Sequence, residues 1–493
     1  MKRLLSIAFV MIMVLSLIGC GNNAESNTGN ITAENNTGND NSEDKQTEEN
    51  TEKDSEETTG KLNTEEAITL KIYGPGFFGE SGEKGAMSAY TGEMTMGYDK
   101  VLERWNELYP NVTVELQAIG WDDWRAAIQA AVLGEGVDVI AHGGLLPVLC
   151  EPLDGFLAED PELLEQLYSV PKYNTDEMDG SVLNVPSITS IPATLNVATL
   201  ILNKKIFEDY GVDLPDASWT WSDVVEVASK LTGTDPVTGE QTYGFLMPGT
   251  NGTNMIKSYQ IIASAYDAKV ISYGETAKDS VVDFTTEGTA EVFKTLADLA
   301  EFCSPDNREG VVTSRVYTED CYAITWSEGI VGAYLQVKDA GLEDQYTFLP
   351  LPAIEKGENA GNPSLYLGDN NLAISKTSEH KEWAWEFIKF MMTDEIAIQY
   401  AQSNGWVWNT AAGVDALESV IGTDNTQMVK DILSKLPSDY NSTTNAYYDG
   451  VNFGTMSAYL SDWIREMVKG SLSVEETQEK VQASVDEYMG GLK

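Results

Sequence analysis

The sequence predicts a two-lobed α/β fold, and three observations predict it. The first twenty residues read as a secretion signal to be set apart from the fold. The folded remainder from Ala67 onward exceeds what one hydrophobic core organises, so two domains or lobes are expected. That remainder opens with strand, helix, strand, helix, strand, the pattern of a parallel sheet with right-handed crossovers.

In the signal, Lys2 and Arg3 precede an apolar run from Leu4 to Ile18, too short for a membrane span of about 20 residues. Leu17-Ile18-Gly19-Cys20 is similar to a bacterial lipobox, in which Cys20 accepts a lipid through its thiol after cleavage. More than one acyl chain gives stable anchoring. Residues 21–66 are Asn, Thr, Glu, Ser and Gly, with thirteen acidic and three basic side chains. Such a composition cannot offset its ordering entropy and is expected to be a disordered acidic tether.

The formal charge is −47 at pH 7, most of it in the folded part. This excess argues against nucleic acid and against an anionic solute drawn in by steering. Two histidines, His142 and His380, make a His-rich metal site unexpected. Beyond Cys20 there are Cys150, Cys303 and Cys321; pairing of Cys303 with Cys321 is open from sequence.

Ile68, Leu70 and Ile72 alternate with polar neighbours, which predicts a first strand. Seven glycines between Gly74 and Gly97 mark a long loop containing Phe77 and Phe78. Val101, Leu102, Trp105 and Leu108 have helical spacing, and Pro110 ends that helix. Val112 to Ala118 alternates again, a helix is expected over 122–133, and Val137 to Ile140 reads as a short buried strand. Ligands of open α/β sheets lie beyond strand C-termini, here Gly74–Phe78 and Ala141–Leu145. Farther on, Val182 to Asn203 runs extended, Thr220 with Asp223 suits a helix N-cap, and residues 348–352 extend again. Leu365 to Ser375 reads as a strand, and Trp383, Phe387, Ile388 and Met391 form one face of a helix.

Several pieces, in order, carry a resemblance. They are Tyr109-Pro110-Asn111-Val112-Thr113-Val114-Glu115, Trp121-Asp122-Asp123-Trp124 and Gly136-Val137-Asp138-Val139. Leu202 to Phe207, Trp219-Thr220-Trp221, Leu372 to Ser375 and Ala384 to Phe390 follow. Behind a lipobox, this set resembles the family 1 extracellular solute-binding proteins of carbohydrate ABC importers, the maltose-binding-protein-like receptors. The resemblance implies a class II periplasmic-binding-protein-like fold, two α/β lobes with discontinuous crossover hinges. Lobe 1 would hold 67–190 with 350–400, and lobe 2 would hold 191–349 with 401–493. It also implies a carbohydrate ligand, an oligosaccharide by the aromatic content, delivered to membrane permease subunits. The expected protein is a monomer on the extracellular face of the cytoplasmic membrane, without cofactor or metal.

Sugars present C–H faces and rim hydroxyls, so aromatic plates and hydrogen-bonding side chains are sought. Trp326 stands where the family often places a stacking aromatic, and Glu328 lies nearby; a core Trp and a solvated Glu are the competing readings. Trp406 and Trp408 lie in a loop that borders the cleft in the family, where Pro often takes the place of Trp408. His142 directly follows the third strand. Asp369 and Asn370 suit vicinal hydroxyls or a turn; Asn196 and Phe77 complete the candidates. Trp121, Trp124, Trp219 and Trp221 are expected to pack. Acidic pairs bring glycoside hydrolysis to mind, and an adhesin or sensor is a further alternative. No Gly-x-Ser-x-Gly, phosphate-cradling loop or metal-spaced histidines occur.

Overall fold

A computed structural model describes residues 62–75, 82–87, 94–120, 124–134, 136–142, 149–168, 173–174, 186–216, 218–250, 255–272, 281–311, 321–357, 360–365, 367–436 and 453–492. Cys20, Phe77, Phe78, Trp121, the signal and nearly all of the tether lie outside the described residues. Among the described residues no helix is long and apolar enough to cross a membrane.

In chain order the first strands are β1 (Ile68–Pro75), β2 (Val112–Ile119), β3 (Val139–Ala141), β4 (Tyr173–Asn174) and β5 (Pro186–Ser187). Next come β6 (Ile191–Val197), β7 (Thr199–Asn203), β8 (Gly233–Thr234), β9 (Gln241–Phe245), β10 (Ile271–Ser272) and β11 (Val281–Val282). The last are β12 (Tyr322–Ser327), β13 (Tyr346–Pro350), β14 (Leu367–Ile374) and β15 (Val407–Trp408). A six-stranded sheet has the order β15-β6-β14-β3-β1-β2, and a five-stranded sheet the order β13-β7-β12-β9-β8. The expected parallel pairs form, β1 with β2 and with β3, while β14 enters antiparallel between β3 and β6.

Strand alternation explains how the first sheet is covered on both faces. Val139 and Ala141 join a cluster with Trp105, Phe387 and Met391, from the helices Tyr98–Leu108 and Lys381–Thr393. Ile140, between them, joins Trp124, Ile128 and Val132 of the helix Trp124–Leu133. The second sheet packs on a separate core of Phe245, Tyr259, Phe293, Leu296 and Ile464. The helix Trp221–Lys230 begins with the expected box: Thr220 Oγ1 accepts from Asp223 N at 3.2 Å, and Asp223 Oδ2 accepts from Thr220 N at 2.9 Å.

The crossovers differ from the boundaries read in the sequence. Ile191–Val197, assigned there to lobe 2, is hydrogen-bonded into the first sheet, as is Val407–Trp408. Only Ala198 separates β6 from β7, so the chain changes sheets without any turn signal to betray the place. A third core straddles this junction. It unites Leu195, Val197 and Val407 of the first sheet with Ile201 and Phe348 of the second and Ile330 and Val337 of the helix Ile330–Asp339. The return passage after β13 is longer and is tied to the second lobe. There Glu355 N donates to Ala265 O at 2.8 Å, and the Glu355 carboxylate accepts from Ser222 N at 3.0 Å.

Cys303 is a buried free thiol that donates to Leu299 O at 3.4 Å, so it does not bridge to Cys321. Burial pushes its pKa up to about 12.

Candidate functional site

The C-terminal ends of β1 and β3 approach one another closely. A Cβ on Gly74, whose φ is +150°, would stand 2.4 Å from Ala141 O, so only glycine permits this contact. Immediately beyond, His142 takes a left-handed φ of 62°, rare for a residue with a side chain. Its N–H donates to Asn371 O at 2.8 Å, fixing the turn against β14. The ring is 5 % exposed and lies 5.9 Å from the Trp124 ring, over which the Arg125 guanidinium sits at 4.4 Å. Burial lowers the His142 pKa to about 4; a side-chain hydrogen bond with Asn370 opposes the shift and the Arg125 charge adds to it. The imidazole is therefore neutral at physiological pH.

Asn370 reaches this position through a bulge. The β14–β6 register shifts between Asn370, opposite Thr194, and Asn371, opposite Pro192. Pro192 has no N–H to give the ladder, and the irregularity falls beside it. Asn370 N donates to Thr194 Oγ1 at 3.3 Å. Pro192 O accepts from Asn409 Nδ2 at 2.8 Å, which ties the residue after β15 to the same strand. The neighbouring register pairs are Asp369 with Leu195 and Gly368 with Asn196.

Asn196 is half-buried at the end of β6, and its Oδ1 lies 3.7 Å from where a Cβ on Gly329 would stand. Gly329 is the N-cap of the helix Ile330–Asp339 and has no side-chain cap, so the Asn196 amide covers an uncapped helix start across the junction. Glu328 precedes it and pairs with Lys257 on the helix Met255–Ala263, with side-chain exposures of 41 % and 30 %. His142, Asn370, Asn196, Glu328 and Lys257 thus follow one another from the first sheet's strand ends, over the β6–β7 junction, to the second lobe. Lys257, Trp124 and Arg125 were not among the site residues expected from sequence. Arg125 is one cation on an amphipathic helix with no local pattern to distinguish it, whereas Lys257 is the single charge on a helix otherwise buried throughout, a signal the sequence did offer.

The expected tryptophans divide. Trp408 is 1 % exposed and donates from Nε1 to Met391 O at 2.8 Å, so it belongs to the first lobe's core. Trp326 is 5 % exposed within the second lobe's core, opposite Leu200 on β7. Its ring packs among core side chains, which does not leave it the open face expected of a stacking plate. Trp406 alone of the three is half-buried, edge-on to Tyr400 at 5.9 Å. Trp124 and Trp221 pack as expected, at 6 % and 0 % exposure. Among the described residues no group of three metal-ligating side chains comes together.

Comparison with known proteins decides the family. The profile of the bacterial extracellular solute-binding proteins matches residues 91–398. The chain belongs to this family.

A binding protein of Brucella abortus is 22 % identical to this receptor over 341 residues, covering 65 % of this chain and 73 % of the relative. An sn-glycerol-3-phosphate-binding periplasmic protein of Yersinia pestis is 23 % identical over 347 residues, covering 66 % and 73 %. Among solved structures, the sugar-binding protein MalE of Xanthomonas citri superposes with a TM-score of 0.63 at 16 % identity, covering 86 % of this chain and 98 % of that one. A solute-binding protein of Agrobacterium radiobacter in complex with ribitol gives 0.61 at 14 %, covering 86 % and 98 %. A substrate-binding protein of Listeria monocytogenes in complex with cycloalternan gives 0.59 at 16 %, covering 86 % and 100 %. At these identities the likeness establishes the fold: a class II periplasmic-binding-protein-like pair of α/β lobes. The family and these neighbours are binding proteins, not enzymes.

Proposed function

We propose that this receptor is the extracellular component of an ABC importer, anchored by lipid on Cys20, and that it captures a carbohydrate between its lobes for delivery to the permease. The observation that carries the solute class is the neutral polar row at the junction. His142 is held uncharged by burial, and Asn370 and Asn196 are amides, which donate and accept as hydroxyls require. The two cations beside these residues are both engaged, Lys257 by Glu328 and Arg125 over the Trp124 ring. An anionic group would have to displace that carboxylate, so a polyhydroxylated neutral solute fits better than a phosphorylated one such as the Yersinia relative's. The bound ribitol and cycloalternan of the neighbours are neutral polyols of this kind.

The proposed contacts are Asn370, Asn196, Glu328 and His142, with Asp369 beside them and Trp406 as the aromatic plate. Closure is a hinge motion at the crossovers, and solute favours it by its differential affinity for the closed form. The receptor acts as a monomer with lobes divided near Ala198.

A thermal-shift screen over mono- and oligosaccharides, polyols and glycerol phosphate tests this reading. Saturation at a hundred times the dissociation constant adds about 2.7 kcal/mol to stability. Stabilisation by a neutral sugar supports it; stabilisation by glycerol phosphate alone replaces the solute class; release of monosaccharide from the panel defeats it. Loss of membrane retention in Cys20→Ala tests the anchor.

A further inference from the structure

Between β1 and the helix Tyr98–Leu108 the chain makes a ribbon that no expected contact used. Its described arms, 82–87 and 94–97, meet at an antiparallel bridge between Met87 and Met94. Below the bridge, Thr95 N donates to Ala86 O at 2.9 Å, and Ala86 N donates to Thr95 Oγ1 at 3.1 Å. The base is tight: a Cβ on Gly85, with φ +84°, would stand 2.0 Å from Thr95 O. The ribbon is therefore a built feature with a fixed register.

Directly opposed residues of an antiparallel pair project to the same face. Met87 and Met94 thus stand side by side, yet they are 63 % and 60 % exposed. These two thioether chains stand paired and open to water, and unbranched thioethers suit irregular apolar partners. The ribbon's place says what such a partner is. It feeds the N-terminus of the helix that returns antiparallel to β1, so it lies at the C-terminal ends of the first sheet, where α/β sheets receive ligands. Its far arm is fixed to the same lobe: Met96 N donates to Ser403 Oγ at 3.0 Å, at the end of the helix Glu395–Ser403, three residues before Trp406 in the chain.

We propose that Met87 and Met94 form an outer apolar subsite that receives the C–H face of the distal units of a linear oligosaccharide. This rests on the carbohydrate reading and adds to it that the solute extends past the residues at the junction. The two methionines then select for chain length and leave recognition of the inner unit to Asn370 and Asn196.

The test uses the full mature chain and a panel of gluco-, manno- and xylo-oligosaccharides of one to six units, by isothermal titration. Wild-type affinity should rise with length, and the double variant Met87→Ser with Met94→Ser should lose roughly tenfold for the longer members while keeping its affinity for the shortest. Both residues are well exposed, so the variant should fold. A second readout is sulfoxide formation at the two methionines under dilute hydrogen peroxide, read by peptide mass spectrometry. Longer oligosaccharides should slow it, and monosaccharides should not. Equal affinities of variant and wild type at every length, or unprotected methionines at saturation, overturn the subsite and leave the carbohydrate reading standing. Absence of binding by any member of the panel overturns both.

Discussion

The two lobes approach the proposed solute region with different kinds of polarity. On the first lobe the groups fixed by the backbone are neutral: a left-handed His142, a bulge at Asn370 and a fully buried Asn371. On the second lobe they are charged and partly open to water, the Lys257–Glu328 pair, with Trp326 packed behind. The difference teaches where discrimination and adjustment reside. Donors and acceptors fixed by backbone geometry cannot shift to suit a wrong solute. A solvated ion pair on long side chains can rearrange as the lobes approach.

The largest expected effect tests the support behind the charged side. Trp326→Ala should cost about 3–5 kcal/mol in urea denaturation, as removal of a buried aromatic does; a variant that keeps its midpoint but loses carbohydrate affinity would restore Trp326 to the binding surface. Next comes acid stability on the neutral side. His142 binds its proton less readily folded, near 4, than its ordinary 6.5, so stability is complete above about pH 6.5 and is lost as pH falls toward 4. The slope from this one group approaches about 1.4 kcal/mol per pH unit. His142→Gln should flatten that limb of a pH–stability curve, and an unchanged limb would mean that another group governs it.

A smaller contrast separates two tryptophans two residues apart. Trp408→Phe orphans Met391 O and should cost about 1–3 kcal/mol. Trp406→Ala should move the melting temperature little while weakening carbohydrate affinity in titration calorimetry. Equal stability losses would erase the distinction between core and plate. The smallest effect belongs to the ion pair. Lys257→Met should change stability by no more than about 1 kcal/mol, since both partners are partly exposed. If it instead creates or abolishes binding of a phosphorylated polyol, the second lobe sets solute charge.

Alternation and helical spacing made the elements legible in the sequence. The strands at 68–75 and 112–119, the helix 381–393 and the Thr220–Asp223 box all follow from local patterns. The antiparallel insertion of β14 between β3 and β6 was not legible, because nothing local states which distant strand a segment will join. The place of His142 was legible from the end of the third strand, and the structure brings Asn370 to it from within β14. The site was obscure where side-chain fate depends on packing. Trp326 stands between Thr325 and Ser327, and Trp408 between Val407 and Asn409, both on short strands; such neighbours cannot tell a plate from a core residue until the opposite layer is known.

The place of β14 has a consequence for how the molecule comes into being. The first sheet lacks an inner strand until Ile374 has been made, so Ile191–Val197 must wait for residues about 170 positions downstream. A chain made N-terminus first carries this lobe unfinished, its gap between β3 and β6 open along two strand edges. The second sheet has all its strands between Thr199 and Pro350, although its core also awaits Ile464. Mutations that slow docking of β14 should therefore be felt as lost yield before they are felt as lost binding.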